Sequence, residues 1–164
     1  MTNAPPFESF AQRSPPVTHV FVYGTLRRGG ANDITRLAPA PVFVGTAHVA
    51  GTLYDLGAYP GVVLGGAGRG HGEVYAIVPA LERRLDKIEG LYPAQGDEYF
   101  KRVVDVTVQR AEGGAVDLRC IVYEYNPRYL RGAAVLIGGD WPPAALFLLL
   151  GFPDALLKNQ FFSA

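Results

Sequence analysis

The chain has 164 residues, 49% of them apolar and 18% charged, with 15 basic residues balanced by 15 acidic ones. That size and apolar content suit one compact domain with a full core, while the cancelled charge and the lack of a basic block remove the footprint of a nucleic-acid or anionic-membrane binder and point to a small-molecule partner. A lone cysteine, Cys120, makes no internal disulfide, and histidines at 19, 48 and 71 follow no recurring ligand spacing, so neither a disulfide scaffold nor a zinc module is expected.

Residues 1 to 17 carry four prolines among Ser, Thr, Asn and Gln, a composition that buries little and reads as a loose arm preceding a single domain over 18 to 164. The same segment lacks a basic stretch followed by an apolar core, so it does not read as a signal peptide, and a cytoplasmic location is expected. Val17 to Tyr23 is β-branched and aromatic and stops at Gly24: a largely buried first strand. A short helix is expected to begin near Asn32 or Asp33, both good caps. Val42–Val44 and Ala47–Tyr54 look like two strands, with Gly45 and Gly51 as bends, and Tyr59-Pro60-Gly61 as a turn. Val62–Leu64 and Glu73–Val78 read as the two arms of a hairpin whose mobile tip is the glycine-rich Gly65–Gly72.

Pro79 to Glu89 is the clearest helix, with Leu81, Leu85 and Ile88 on one stripe, proline in the first turn and Gly90 as the stop. Tyr99–Val108 and Val116–Tyr125 form an antiparallel pair joined by Glu112-Gly113-Gly114. A C-terminal helix over Ala144–Leu150 is expected after Asp140-Trp141-Pro142-Pro143; its apolar run falls well short of the roughly 18 residues that span a bilayer. Together with Phe161-Phe162 that segment offers a surface for a homo-oligomer. The pattern is an α+β domain curled around a mixed sheet or small barrel of about six strands, not a doubly wound parallel fold.

Two places carry chemistry. Tyr23-Gly24-Thr25-Leu26 ends the first strand where glycine can take positive φ and consecutive N–H groups can converge on a carboxylate; the plain alternative is a tight turn. On the helix, Glu82, Asp86 and Glu89 form an acidic stripe beside the apolar one, and Glu89 faces the negative end of the helix dipole and the charge of Asp86. Both effects raise a carboxyl's pKa toward that of a general base; the plain alternative is a surface glutamate neutralised by an arginine. Cys120 reads as a small core hydrophobe, and Glu98 as a rival carboxylate on a loop with no stiff support.

The set Val22-Tyr23-Gly24-Thr25-Leu26-Arg27, Gly51-Thr52-Leu53-Tyr54-Asp55-Leu56-Gly57, Tyr59-Pro60-Gly61, Gly72-Glu73-Val74-Tyr75 and Leu85-Asp86-Lys87-Ile88-Glu89-Gly90 resembles, in order and spacing, the γ-glutamyl cyclotransferase-like superfamily and its avirulence-induced-gene-like branch. The resemblance runs from about residue 19 to Trp141. It implies a small mixed β-barrel with flanking helices, a substrate loop at Tyr23, Gly24, Thr25 and Leu26, a catalytic glutamate at Glu89, and Tyr99 and Tyr123 as pocket aromatics. The implied reaction forms 5-oxoproline with neither metal nor cofactor, and the Thr25-Leu26-Arg27-Arg28-Gly29 loop is closer to members acting on γ-glutamyl amines. Two further readings stand beside it: a catalytically silent module that binds a small carboxylate or peptide end, and hydrolysis by a Glu89 and Glu98 pair.

Overall fold

The computed structural model describes residues 18–141; the expected N-terminal arm, the helix over 144–150 and Phe161-Phe162 lie outside them. Strand β1 (Thr18–Val22) leads through the loop over 23–33 to a 3-10 turn at Ile34–Arg36, followed by β2 (Val42–Asp55), β3 (Pro60–Ile77), helix α1 (Pro79–Ile88), β4 (Tyr99–Arg110), β5 (Ala115–Tyr125), a second 3-10 turn at Pro127–Tyr129 and the short β6 (Ala134–Val135). The helix expected after Asn32 or Asp33 is thus a single tight turn. Asp33 caps it, its carboxylate accepting from the Thr35 N–H at 2.9 Å.

Neighbours in the sheet run β3-β1-β5-β4-β2-β6, and β2 pairs back onto β3, so five strands close into a ring. The β1–β5 pairing is parallel and the others are antiparallel, which makes the sheet mixed and the domain α+β. Closure removes the free edges of these strands. β1 and β5 are apolar on both faces because each separates two cores, and the period-2 alternation of a strand decides which residue goes where. Phe21 and Tyr23, with Cys120 and Val122, point into the ring. Val20 and Val22, with Ile121 and Tyr123, face the second core beneath α1, where Leu81 and Leu85 are fully buried. Cys120 is a buried free thiol, as expected of a small core residue, and burial pushes its pKa up to about 11.

Three local expectations change. The two stretches at 42–44 and 47–54 are one strand, and Gly45 and Gly51 mark the register shifts where it bends. Pro60-Gly61 is not a turn but the start of β3; the chain reverses over 56–59, closed by the Leu56 N–H to the Tyr59 carbonyl at 3.1 Å. The Gly65–Gly72 segment is not a hairpin tip. It lies within β3, whose two halves both pair with β2, and Gly65 and Gly66 take φ of +96° and +73° so that the strand bulges out opposite Ala50 and Gly51 and then resumes. Ile88 also leaves the expected apolar stripe: it is 39% exposed, in the last turn of α1, where the helix runs past the second core.

Leu85→Ala removes the side chain that ties the last turns of α1 to the second core. A loss of about 2–4 kcal/mol in unfolding free energy is expected, read from the midpoint of a urea titration with unchanged slope.

Candidate active site

Helix α1 ends in a way that fixes the next residue. The Glu89 N–H bonds to the Leu85 carbonyl at 2.9 Å, Gly90 follows with φ +70°, and the Leu91 N–H reaches back to the Asp86 carbonyl at 2.7 Å. This is a Schellman stop, with Leu91 packing on the second core as its apolar clasp. Glu89 therefore stands at the C-cap with a set backbone, and its side chain lines a cavity of about 290 Å³. Tyr23, Gly24, Thr25 and Leu26 line the same cavity, as do Tyr99, Tyr123 and Glu98, whereas Glu82, Asp86 and Cys120 do not.

Among the described residues, the Glu89 carboxyl has no ion pair and no hydrogen bond. Among the described residues no arginine neutralises it, and no Lys, Arg or His lines the cavity. Burial pushes its pKa up to about 8, with the charge of Glu98 adding to the effect. The direction matches the sequence argument, but the largest cause is burial, and the carboxylate that adds to it is Glu98 where the sequence argument had Asp86. The Asp86 carboxylate is taken up by Lys101 Nζ at 2.9 Å and by the Tyr123 hydroxyl at 2.8 Å, and Lys101 also reaches Glu82. The acidic stripe is thus divided, two carboxylates clamped by one lysine and the third left to the cavity.

The loop after β1 is held from outside. Arg27, only 9% exposed, donates from Nε to Glu73 at 3.3 Å and from its terminal nitrogen to Asp140 and to the Trp141 carbonyl. Glu73 also accepts from the Arg28 N–H at 3.0 Å and the Tyr75 hydroxyl at 2.8 Å. Inside the loop, the carbonyls of Gly24, Thr25 and Leu26 accept from Arg27, Asn32 and Ile34. Their N–H groups donate to nothing among the described residues, which leaves three consecutive donors beside the cavity. Gly24 is required by space and not by positive φ: a Cβ there would lie 2.8 Å from the Pro60 ring.

Tyrosines complete the walls. Burial first, and then the nearby carboxylates, raise the pKa of Tyr23, Tyr59, Tyr99 and Tyr123, so all four stay protonated donors. Tyr23 donates to the Tyr123 carbonyl at 2.6 Å, whereas the Tyr99 hydroxyl has no partner among the described residues. Tyr59, Pro60 and Asn32 line the cavity too; the sequence marked the first two as a turn and as part of the family resemblance and Asn32 as a helix cap, but none of them as a pocket residue. Glu98 is better supported than expected: Tyr59 donates to its carboxylate at 2.7 Å, and its carbonyl accepts from the buried Asn126 at 2.8 Å. The described residues contain no group of three or more His, Cys, Asp or Glu suited to a metal ion, and no helix long and apolar enough to cross a membrane.

The family model described as "Gamma-glutamyl cyclotransferase, AIG2-like" matches residues 20–143. The chain is 33% identical over 124 residues to the gamma-glutamylcyclotransferase family protein YtfP of Escherichia coli K12, covering 74% of this chain and 94% of that one. It is 30% identical over 129 residues to the gamma-glutamylaminecyclotransferase of Rattus norvegicus, covering 70% and 84%. Among solved structures, an AIG2-like protein from Mus musculus aligns with a TM-score of 0.60 at 25% identity over 77% of this chain and 88% of that one.

A carboxyl whose pKa is raised by folding makes the native state hold a proton that the unfolded chain has released, so Glu89 destabilises the fold as pH climbs from about 4.5 to about 8. Glu89→Gln lacks this penalty. Its unfolding free energy is expected to match wild type below pH 4.5 and to exceed it by about 1–4 kcal/mol at pH 8 and above, measured by denaturant titrations across that range.

Proposed function

The chain belongs to the γ-glutamyl cyclotransferase, AIG2-like family, and from that membership we propose that it cleaves γ-glutamyl amides by intramolecular aminolysis, with Glu89 as the proton carrier and the residues 24–26 as the substrate cradle. The observation that carries the proposal is the half-buried Glu89 carboxyl, without a partner among the described residues, sharing one cavity with three backbone donors that are unused among them.

The substrate's α-amine is largely an ammonium near neutrality and cannot attack until it loses a proton. Ionised Glu89 takes that proton, and the freed nitrogen attacks the γ-carbonyl carbon of the same molecule to close a five-membered ring. Holding the glutamyl chain folded back makes this step unimolecular, the role given to the N–H groups of Gly24, Thr25 and Leu26 on the carboxylate or the reacting carbonyl. Negative charge that builds on the carbonyl oxygen is met by the same donors or by the Tyr99 hydroxyl. When the carbon–nitrogen bond to the leaving amine breaks, that nitrogen takes the first proton from Glu89, the restored carboxylate relays the second proton that the attacking nitrogen sheds, and the products are 5-oxoproline and the amine as its ammonium ion. A pKa near 8 suits a group that must accept a proton and return it. The likeness to the rat γ-glutamylamine enzyme, together with the Thr25-Leu26-Arg27-Arg28-Gly29 loop, supports an amine in preference to an amino acid as the leaving group.

The test is 5-oxoproline release from γ-glutamyl-ε-lysine, γ-glutamyl-alanine and glutathione. Glu89→Gln keeps the shape of the side chain without its basicity and is expected to abolish turnover while substrate still raises the melting temperature; wild-type turnover in this variant rejects the assignment. For the wild type, kcat/KM is expected to rise with pH through about 8, because the free enzyme must lose the Glu89 proton to act as base. A wild-type protein that is stabilised by these compounds but never releases 5-oxoproline is the silent binding module.

Gly24→Ala forces the loop away from Pro60. It is expected to raise KM or lower kcat by about tenfold or more with little change in overall stability, the signature of a displaced cradle, measured in the same assay.

A further inference from the structure

His48 and His71 lie 23 positions apart and suggest nothing in sequence, yet β2 and β3 place them directly opposite each other as a cross-strand pair. Along β2, Ala47 and Val49 are buried while Thr46, His48 and Ala50 are exposed, so the pair sits on the outer face of the ring, outside the cavity described above. Nδ1 of His71 and Nε2 of His48 approach to 3.2 Å, with the ring centres 4.8 Å apart. The position of His71 is further set by its own N–H, which donates to the Gly139 carbonyl at 2.7 Å.

We propose that His48 and His71 form a two-histidine chelate for a divalent transition-metal ion of the Zn²⁺, Ni²⁺ or Cu²⁺ type. Bonds of about 2.0–2.1 Å from a metal to two imidazole nitrogens 3.2 Å apart enclose an angle of about 100°, between the octahedral and tetrahedral values, so the spacing of the pair fits such an ion once each ring turns its lone pair off the line between them. In the metal-free pair one nitrogen must carry a hydrogen and donate it to the other. On binding, that ring shifts its hydrogen to its other nitrogen and offers a lone pair instead, and no charge has to be removed. The Asp140 carboxylate is already committed to Arg27, so the remaining positions fall to water. Oxygen-seeking Mg²⁺ and Ca²⁺ gain nothing from two imidazoles.

The experiment is calorimetric titration of the untagged full chain with Zn²⁺ and with Ni²⁺, with Mg²⁺ as control, on wild type and on His48→Ala, His71→Ala, His48→Gln and His19→Ala. One equivalent of Zn²⁺ or Ni²⁺ is expected on wild type and on His19→Ala, with affinity at least tenfold weaker in each variant at 48 or 71 and no Mg²⁺ binding. The metal should also raise the melting temperature by clipping β2 to β3, a shift lost in the same variants while their metal-free melting temperatures stay at the wild-type value. Absence of saturable Zn²⁺ and Ni²⁺ binding, or binding that survives substitution of either histidine, overturns the site.

Discussion

A carboxyl taken out of water with no cation beside it is the constraint around which this molecule is arranged. Glu89 is held in that state by everything that fixes the end of α1: full burial of Leu81 and Leu85, the left-handed Gly90 and the backward bond from Leu91. Any looseness there would let the side chain swing to solvent or to one of the arginines on the far face of the helix, and the raised pKa would vanish. The two neighbouring acids are kept out of the matter by Lys101, which clamps Glu82 and Asp86. The same clamp orients Tyr123 through Asp86, so a wall of the cavity is fixed by the helix that supplies the glutamate.

The opposite wall depends on β1, a strand with two buried faces. It sends Tyr23 into the ring and Val22 toward α1, then hands over to a loop whose carbonyls are used and whose first N–H groups are spare. Such a loop needs an external pin, and Arg27 with Glu73 provides it across β1 and β3. A largely buried ion pair of this kind adds little net stability; its value lies in geometry, since an arginine fork tied to two carboxylates and a carbonyl leaves one position for the backbone.

What could be read from the sequence follows from how local each feature is. Helix α1, its glycine stop, the antiparallel β4–β5 pair and the two-faced β1 are written in spacings of two and of three to four residues, and they appear as expected. Glu89 was legible as unusual because its stripe borders the apolar one. The physical origin of its shift was not, because the cavity around it is closed by β1, the loop after it and Tyr59, none of which is near it in sequence. The glycines of 65–72 misled for a related reason: local flexibility is the same whether a segment turns back or bulges and runs on, and only the long β2 partner decides. Tyr59 holding Glu98, and His48 facing His71, are products of register alone.

Two glutamates on one cavity invite the thought that they share one task, and their surroundings argue otherwise. Glu98 is exposed, accepts a hydrogen bond from Tyr59 and is anchored through its backbone to Asn126. Glu89 is desolvated and bonded to nothing among the described residues. Unequal environments push two carboxyls toward different protonation states, and the one near neutrality is the one able to accept and release a proton within a cycle. Glu98 then acts on the chemistry through space, its charge raising Glu89 further than burial alone would. A hydrolytic pair would need water activated between the two; the proposed intramolecular attack needs one proton carrier and a cradle that folds the substrate on itself, the roles proposed for Glu89 and for residues 24–26.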